Sequence, residues 1–139
     1  MTIGLEVWSN MSRSAFRNAP VVGVEDGSFQ KGITPKALLA AVLFKELKIE
    51  RVQIMKITVD GLDATQKLVK TLRGWNFRAV MLAGVSFAGF NIIDPTIVYE
   101  EFGKPVIIIS RTKPDNKAVK RAYNAILKTG KSAGACSEN

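Results

Sequence analysis

The sequence predicts an α/β domain: a mixed sheet of about five strands with helices on its faces, in the order βββαβαβα. Three observations carry this. Residues 51–59 hold Val52, Ile54, Ile57 and Val59, a β-branched strand pattern that ends in Asp60-Gly61. Directly after that turn, Ala64, Leu68, Val69 and Leu72 recur at helical spacing, with Lys67, Lys70 and Arg73 on the other side. Beyond Gly74 the chain alternates again, apolar strand run, helix start, apolar strand run, helix start. With 139 residues, one core is the expectation.

In chain order, residues 1–19 carry little pattern. Ile3, Leu5, Val7 and Trp8 alternate loosely, and the polar, basic stretch after Met11 follows. An edge strand, a helix and an arm packed on a partner all fit, so this segment is set apart from the single domain expected over residues 20–128. Pro20 to Val24 form a short strand run that ends in Glu25-Asp26-Gly27, and residues 28–35 read as a loop through Gly32 and Pro35. Residues 37–44 are continuously apolar. Their Ala and Leu content favours helix, yet a meander into residues 51–59 accounts for the next stretch better, and we read a strand. At the following corner Gly61 permits a tight turn. Asp63 stands where a helix N-cap belongs, its carboxylate placed to accept from the first free N–H groups.

Gly74 and Asn76 close that helix. Residues 79–82 begin a strand that runs into residues 83–91, where Gly84 and Gly89 among large apolar residues mark a loop packed closely or approached by a ligand. Asp94-Pro95 is an N-cap followed by proline in the first turn, opening a short helix that stops near Gly103. Val106-Ile107-Ile108-Ile109 is the strongest strand signal, apolar on both faces as in parallel sheets. Pro114-Asp115 opens a last amphipathic helix, with Ala118, Val119, Ala122, Ile126 and Leu127 on one side and Lys117, Lys120, Arg121 and Lys128 on the other. Residues 129–139 are expected to be a disordered tail.

Composition narrows the chemistry. The formal charge is +8 and the pI about 9.8, which suits a polyanion such as DNA or RNA as well as a solvated basic surface. There is no histidine, so Ser-His and Cys-His catalysis and imidazole metal ligands are excluded. Cys136 stands alone, so no intramolecular disulfide forms. Metal chemistry would have to use carboxylates and carbonyls, which suits Mg²⁺ or Mn²⁺ rather than zinc. No apolar run reaches the ~20 residues of a membrane span and no secretory leader pattern opens the chain, so a cytoplasmic protein is expected.

The candidate site lies at the ends of strands, where α/β folds build sites. Asp60 and Asp63 flank one corner and Asp26 ends another strand. A single Asp at a turn or cap is ordinary, whereas carboxylates repeated at two strand ends are more informative. Asp94 is a candidate helper. Gly84, Gly89, Phe90 and Asn91 are candidate ligand contacts in the glycine loop, and Phe87 and Phe90 are candidate stacking groups, although core packing is the commoner use of phenylalanine.

The words VEDGSF (24–29), TVDGLDAT (58–65), GVSFAGFNIID (84–94), GKPVIII (103–109) and RTKPD (111–115) occur in this order. Over roughly residues 21–127 the chain resembles the mostly archaeal family called domain of unknown function ninety-nine, which is grouped with endonuclease V in the ribonuclease H-like superfamily; the predicted element order is that of the ribonuclease H-like fold. The resemblance implies an endonuclease V-like fold and a site in which acids hold Mg²⁺ for phosphodiester cleavage near a deaminated base. Asp26 matches the acid at the end of the first strand, and Asp63 falls close to the second acidic position, making these two the implied metal ligands beside Asp60. Endonuclease V carries Asp-Gly after its fourth strand. Here that position is Ala83-Gly84, and the histidine near the end of endonuclease V has no counterpart. Two functions therefore stand open: a metal-dependent nuclease using Asp26, Asp60 and Asp63, and a nucleic-acid-binding or interaction module that kept the fold without the chemistry. Exposed apolar residues near the N-terminus leave a homodimer as an expected partner arrangement.

Overall fold

The computed structural model describes residues 2–3, 18–110, 117, 120, 121 and 124. Most of the expected last helix, most of residues 1–19 and the C-terminal tail lie outside these described residues. The chain forms two compact units, residues 1–109 and residues 110–139.

The first unit is a six-stranded mixed sheet. In chain order its strands are β1 (Thr2–Ile3), β2 (Val21–Asp26), β3 (Lys36–Lys45), β4 (Lys48–Thr58), β5 (Ala79–Leu82) and, after a two-stranded ribbon of β6 (Ser86–Phe87) and β7 (Asn91–Ile92), β8 (Val106–Ile108). The sheet order is β1-β8-β5-β2-β3-β4. β2, β5 and β8 run parallel, β3 runs against β2, and β4 against β3. Residues 37–44 are thus strand despite their helix-favouring composition. Alternation decides it: Ala37, Leu39, Ala41 and Leu43 are buried while Leu38 and Phe44 are exposed, a period of two that only an extended chain satisfies. Two residues of the N-terminal segment join the sheet as an edge strand, with Thr2 opposite Ile107.

Helix α1 (Ala64–Leu72) buries Ala64, Leu68, Val69 and Leu72, the stripe read from the sequence. It packs with Val22, Val24, Leu39, Ile57, Val80 and Leu82 in one apolar core. Truncating the fully buried Leu68 to alanine would cost about 3 kcal/mol from lost transfer energy and the cavity left behind. Helix α2 (Pro95–Phe102) begins as expected: Asp94 Oδ1 accepts from the N–H groups of Thr96 and Ile97, with proline in the first turn. It ends at Gly103, whose φ of 62° is the left-handed cap that glycine adopts without strain.

The opposite face of the sheet is apolar too. Its central row runs Val52, Val42, Gly23, Met81, Ile107 across five strands. Val21, Gly23, Val42, Phe44, Met81 and Ile109 line a broad groove of about 550 Å³ there. In the second unit, positions 117, 120, 121 and 124 are helical and exposed, three of them basic. No helix of the described residues is long and apolar enough to cross a membrane.

Candidate acidic site at the strand ends

Because β2, β4 and β5 run in one direction, their C-terminal ends meet at one edge of the sheet. Asp26 closes β2, residues 59–63 follow β4, and the ribbon of β6 and β7 follows β5. The two-residue strands pair Ser86 with Ile92 and Phe87 with Asn91, so Ala88, Gly89 and Phe90 form the tip. Ala88 and Gly89 both have positive φ, 46° and 80°. The Ser86 hydroxyl donates to the Gly89 carbonyl and closes this tip.

Asp26 and Asp60 both bind that tip. The Ala88 N–H donates to Asp26 Oδ2 at 2.8 Å, and the Phe90 N–H donates to Asp60 Oδ1 at 2.9 Å. The Asp60 N–H donates in turn to the Ala88 carbonyl at 2.9 Å. A β-carbon on Gly89 would collide with the Asp60 carboxylate, so glycine is required here for space as well as for backbone conformation. The turn after β4 needs Gly61, as expected, but for space rather than for a left-handed backbone. Asp60, not Gly61, takes the left-handed conformation, with φ 54°. Gly61 is needed because a β-carbon there would lie 2.6 Å from Thr58 Cβ.

Asp63 occupies the N-cap position of α1 without capping it. Its side chain turns back instead. Oδ1 accepts from the Thr58 N–H at 3.0 Å and from Asn91 Nδ2 at 2.6 Å, and Oδ2 accepts from the Thr58 hydroxyl at 2.9 Å and faces Lys67 Nζ at 3.2 Å. Burial alone would push the Asp63 carboxyl upward, but these four donors outweigh it and hold the group well below the usual carboxylate range. The cap is supplied from 27 residues away: Asn91 Oδ1 accepts from the Ala64 N–H at 3.0 Å. Asn91 is fully buried and also donates to the Thr58 carbonyl at 2.8 Å, so every polar atom of its side chain is used. Thr65 adds a second tie, donating to the Ile92 carbonyl and accepting from the Asp94 N–H, both at 3.0 Å.

The residues expected to form one site thus divide. Asp26 and Asp60 share the ribbon tip. Asp63 and Asn91 brace the corner beneath, and full burial places Asn91 out of a ligand's reach. Asp94 caps α2 through Oδ1 and makes no contact with the ribbon tip among the described residues. Gly84, with φ 93°, would place a β-carbon within 4 Å of no described residue beyond its chain neighbours, and Ala83 donates its N–H to the Val24 carbonyl at 3.0 Å. Phe87 is core, fully buried, whereas Phe90 is 38% exposed, with Lys31 Nζ 5.3 Å from its ring centroid. Among the described residues no three acids are grouped closely enough to hold a metal ion. Asp26 and Asp60 have the donor chemistry of a hard divalent cation, each with one oxygen that no described residue engages. Asp63 does not fit that role, because both its oxygens are occupied, one beside an ammonium.

The capping role of Asn91 escaped sequence reasoning. Its neighbours in sequence say nothing of a partner in α1, and the hint available was a polar residue inside an apolar strand run. The mixed sheet with helices on its faces defines an α/β protein with the fold seen in endonuclease V. The chain superposes on endonuclease V of Ciona intestinalis, solved with a 24mer DNA containing an inosine followed by a ribo-adenosine, with a TM-score of 0.55 at 14% identity over 87% of this chain and 59% of that one. At that identity the likeness is one of fold. A protein of unknown function from Archaeoglobus fulgidus matches with a TM-score of 0.69 at 28% identity, covering 79% of this chain and 67% of the other. The family model described as endonuclease dU matches residues 17–132, and the chain belongs to that family. A UPF0215 protein of Pyrococcus horikoshii is 35% identical over 136 residues, 89% of this chain and 70% of its own length. One from Thermococcus gammatolerans is 40% identical over 110 residues, of which this chain spans 56% of the relative. The function this kinship supports is nucleic-acid-related.

Proposed function

We propose that this chain cleaves a phosphodiester of a nucleic acid strand beside a deaminated nucleoside, deoxyuridine first among them, with Asp26 and Asp60 as the acids that do the work. The observation that carries the reading is their shared hold on one ribbon tip: two carboxylates, one ending β2 and one in the turn after β4, meet residues 88–90, each with an oxygen that no described residue engages, at the sheet edge where α/β folds bind ligands. Asp26 and Asp60 would hold Mg²⁺ or Mn²⁺, which supplies a polarised water and charge neutralisation at the phosphate. Lys31, and Lys36 whose Nζ donates to the Thr58 hydroxyl at 2.8 Å, put cations beside the same edge for strand phosphates. The family description and the endonuclease V fold both support a substrate of this class.

A second reading has its own observation. Ala83 stands where the resemblance expects an acid, and no three-acid group forms among the described residues. That favours a protein that grips the strand without cutting it. One experiment separates the two: labelled DNA containing deoxyuridine or inosine is incubated with Mg²⁺ or Mn²⁺ and the wild type or Asp26→Ala. Cleavage by the wild type, reduced at least a hundredfold by Asp26→Ala, is the expected result, a loss on the scale of removing a principal charge-stabilising group. Binding that weakens with salt but yields no product establishes the second reading. Cleavage that survives Asp26→Ala removes the assigned site.

A further inference from the structure

Phe90 is placed unlike any other aromatic of the first unit's ribbon. Its backbone N–H is fixed by Asp60, the neighbouring Ala88 N–H by Asp26, and Gly89 packs directly on the Asp60 carboxylate, so the tip is held from three sides. None of these contacts uses the phenyl ring. Phe87 and Ala88 are fully buried and close the core below it, whereas Phe90 as a residue stays 38% exposed. Burial of the ring is thus not what orders this tip. A second segment supplies its companion. In the loop between β2 and β3, the Gln30 carbonyl accepts from Ile33 and Thr34 and the Gln30 N–H donates to the Thr34 hydroxyl, which fixes the turn carrying Lys31. That turn sets the Lys31 ammonium 5.3 Å from the ring centroid.

We propose that Phe90 and Lys31 form a subsite for one unstacked nucleotide, with a base stacked on the ring and the adjoining phosphate paired with the ammonium. The inference rests on the nucleic-acid reading above and adds to it the residues that grip the strand. An exposed ring serves any base, because every base presents a π-face. A lysine serves any phosphate as a point charge. The subsite therefore confers preference for single-stranded or locally opened nucleic acid over a closed duplex, in which base faces are already stacked. It lies beside Asp26 and Asp60 because the same three-residue tip binds both carboxylates.

Fluorescence anisotropy tests this with a labelled single-stranded oligonucleotide and an abasic strand of equal length and charge, each titrated at several salt concentrations. Phe90→Ala and Phe90→Leu should weaken binding of the base-containing strand about tenfold while leaving the abasic strand unchanged, and Phe90→Trp should restore the loss. Lys31→Gln should weaken both strands alike and lower the salt slope by about 0.7. Equal weakening of both strands by Phe90→Ala, or no weakening of either, overturns the subsite. If the wild type binds neither strand at low salt, the nucleic-acid reading itself falls and the subsite with it.

Discussion

Asp60 and Asp63 stand three residues apart in one turn, yet they are built into different kinds of structure. Asp63 spends both oxygens on four donors from Thr58, Asn91 and Lys67, and its amide partner Asn91 is fully buried. Asp60 spends one oxygen on the N–H of an exposed residue. A carboxylate saturated by fixed donors stabilises the fold and has nothing left to offer a ligand. One with a free oxygen at a sheet edge contributes less to folding and more to chemistry. Asp26, bound through one oxygen to the same tip as Asp60, belongs to the second kind. The same residue type at one edge of the sheet therefore divides into a brace and a candidate reacting pair, and counting carboxylates overstates the site.

The contrast is broken most severely at Asn91. Asn91→Ala removes the cap of α1, orphans the Ala64 N–H, takes one donor each from the Thr58 carbonyl and Asp63, and opens a cavity in a fully buried site, at a cost of about 3–4 kcal/mol. Chemical denaturation should show a lower midpoint with an unchanged slope. An effect under about 1 kcal/mol would mean that water replaces the amide and that the corner is not the brace described.

Two glycines sharpen the comparison at intermediate scale. Gly89→Ala must both strain a backbone at φ 80° and displace the Asp60 carboxylate, costing about 2–3 kcal/mol and disrupting whatever Asp26 and Asp60 do together. Gly84→Ala meets only the backbone term, about 1 kcal/mol, since no described residue beyond its chain neighbours lies within 4 Å of the added β-carbon. Paired melts and cleavage assays on the two variants check this; equal effects would show that Gly89's contact with Asp60 is immaterial.

The smallest effect concerns pH. Asp63 ionises more readily folded than unfolded, because its four donors outweigh the burial that opposes its charge. Its contribution is therefore complete above the unfolded carboxyl value, near pH 4, and is lost as acid protonates the folded group below that. Asp63→Asn should cost about 1–2 kcal/mol at neutral pH and should flatten the loss of stability below pH 4, measured by urea melts across that range. An unchanged acid limb in the variant would assign that limb to other carboxylates.

Some of this was legible residue by residue. The α1 stripe of Ala64, Leu68, Val69 and Leu72 is a local periodicity, and a helix reports its buried face within two turns of sequence. Asp94-Pro95 and Gly103 bound α2 as read, because caps act on backbone groups two or three residues away. Residues 37–44 show where local reading weakens. Ala-Leu-Leu-Ala-Ala carries helix propensity, and only ten residues of pairing with β4 and six with β2 overrule it.

What the sequence determined by itself was the order of the main strands and helices from β2 to β8, without the edge strand β1 or the β6–β7 ribbon, together with the amphipathic helix, its neighbouring caps, and the presence of acids at strand ends. Each follows from interactions between residues a few positions apart. What tertiary structure alone decided was the division of labour among those acids. Asp63 turns away from its helix because Asn91, 28 residues on, meets it with a donor and takes over the cap. Asp26 and Asp60 converge on residues 88–90 because a two-stranded ribbon folds back across the strand ends. A side chain's choice between partners depends on free-energy differences between sites far apart in the chain, and no local pattern encodes which donor will arrive.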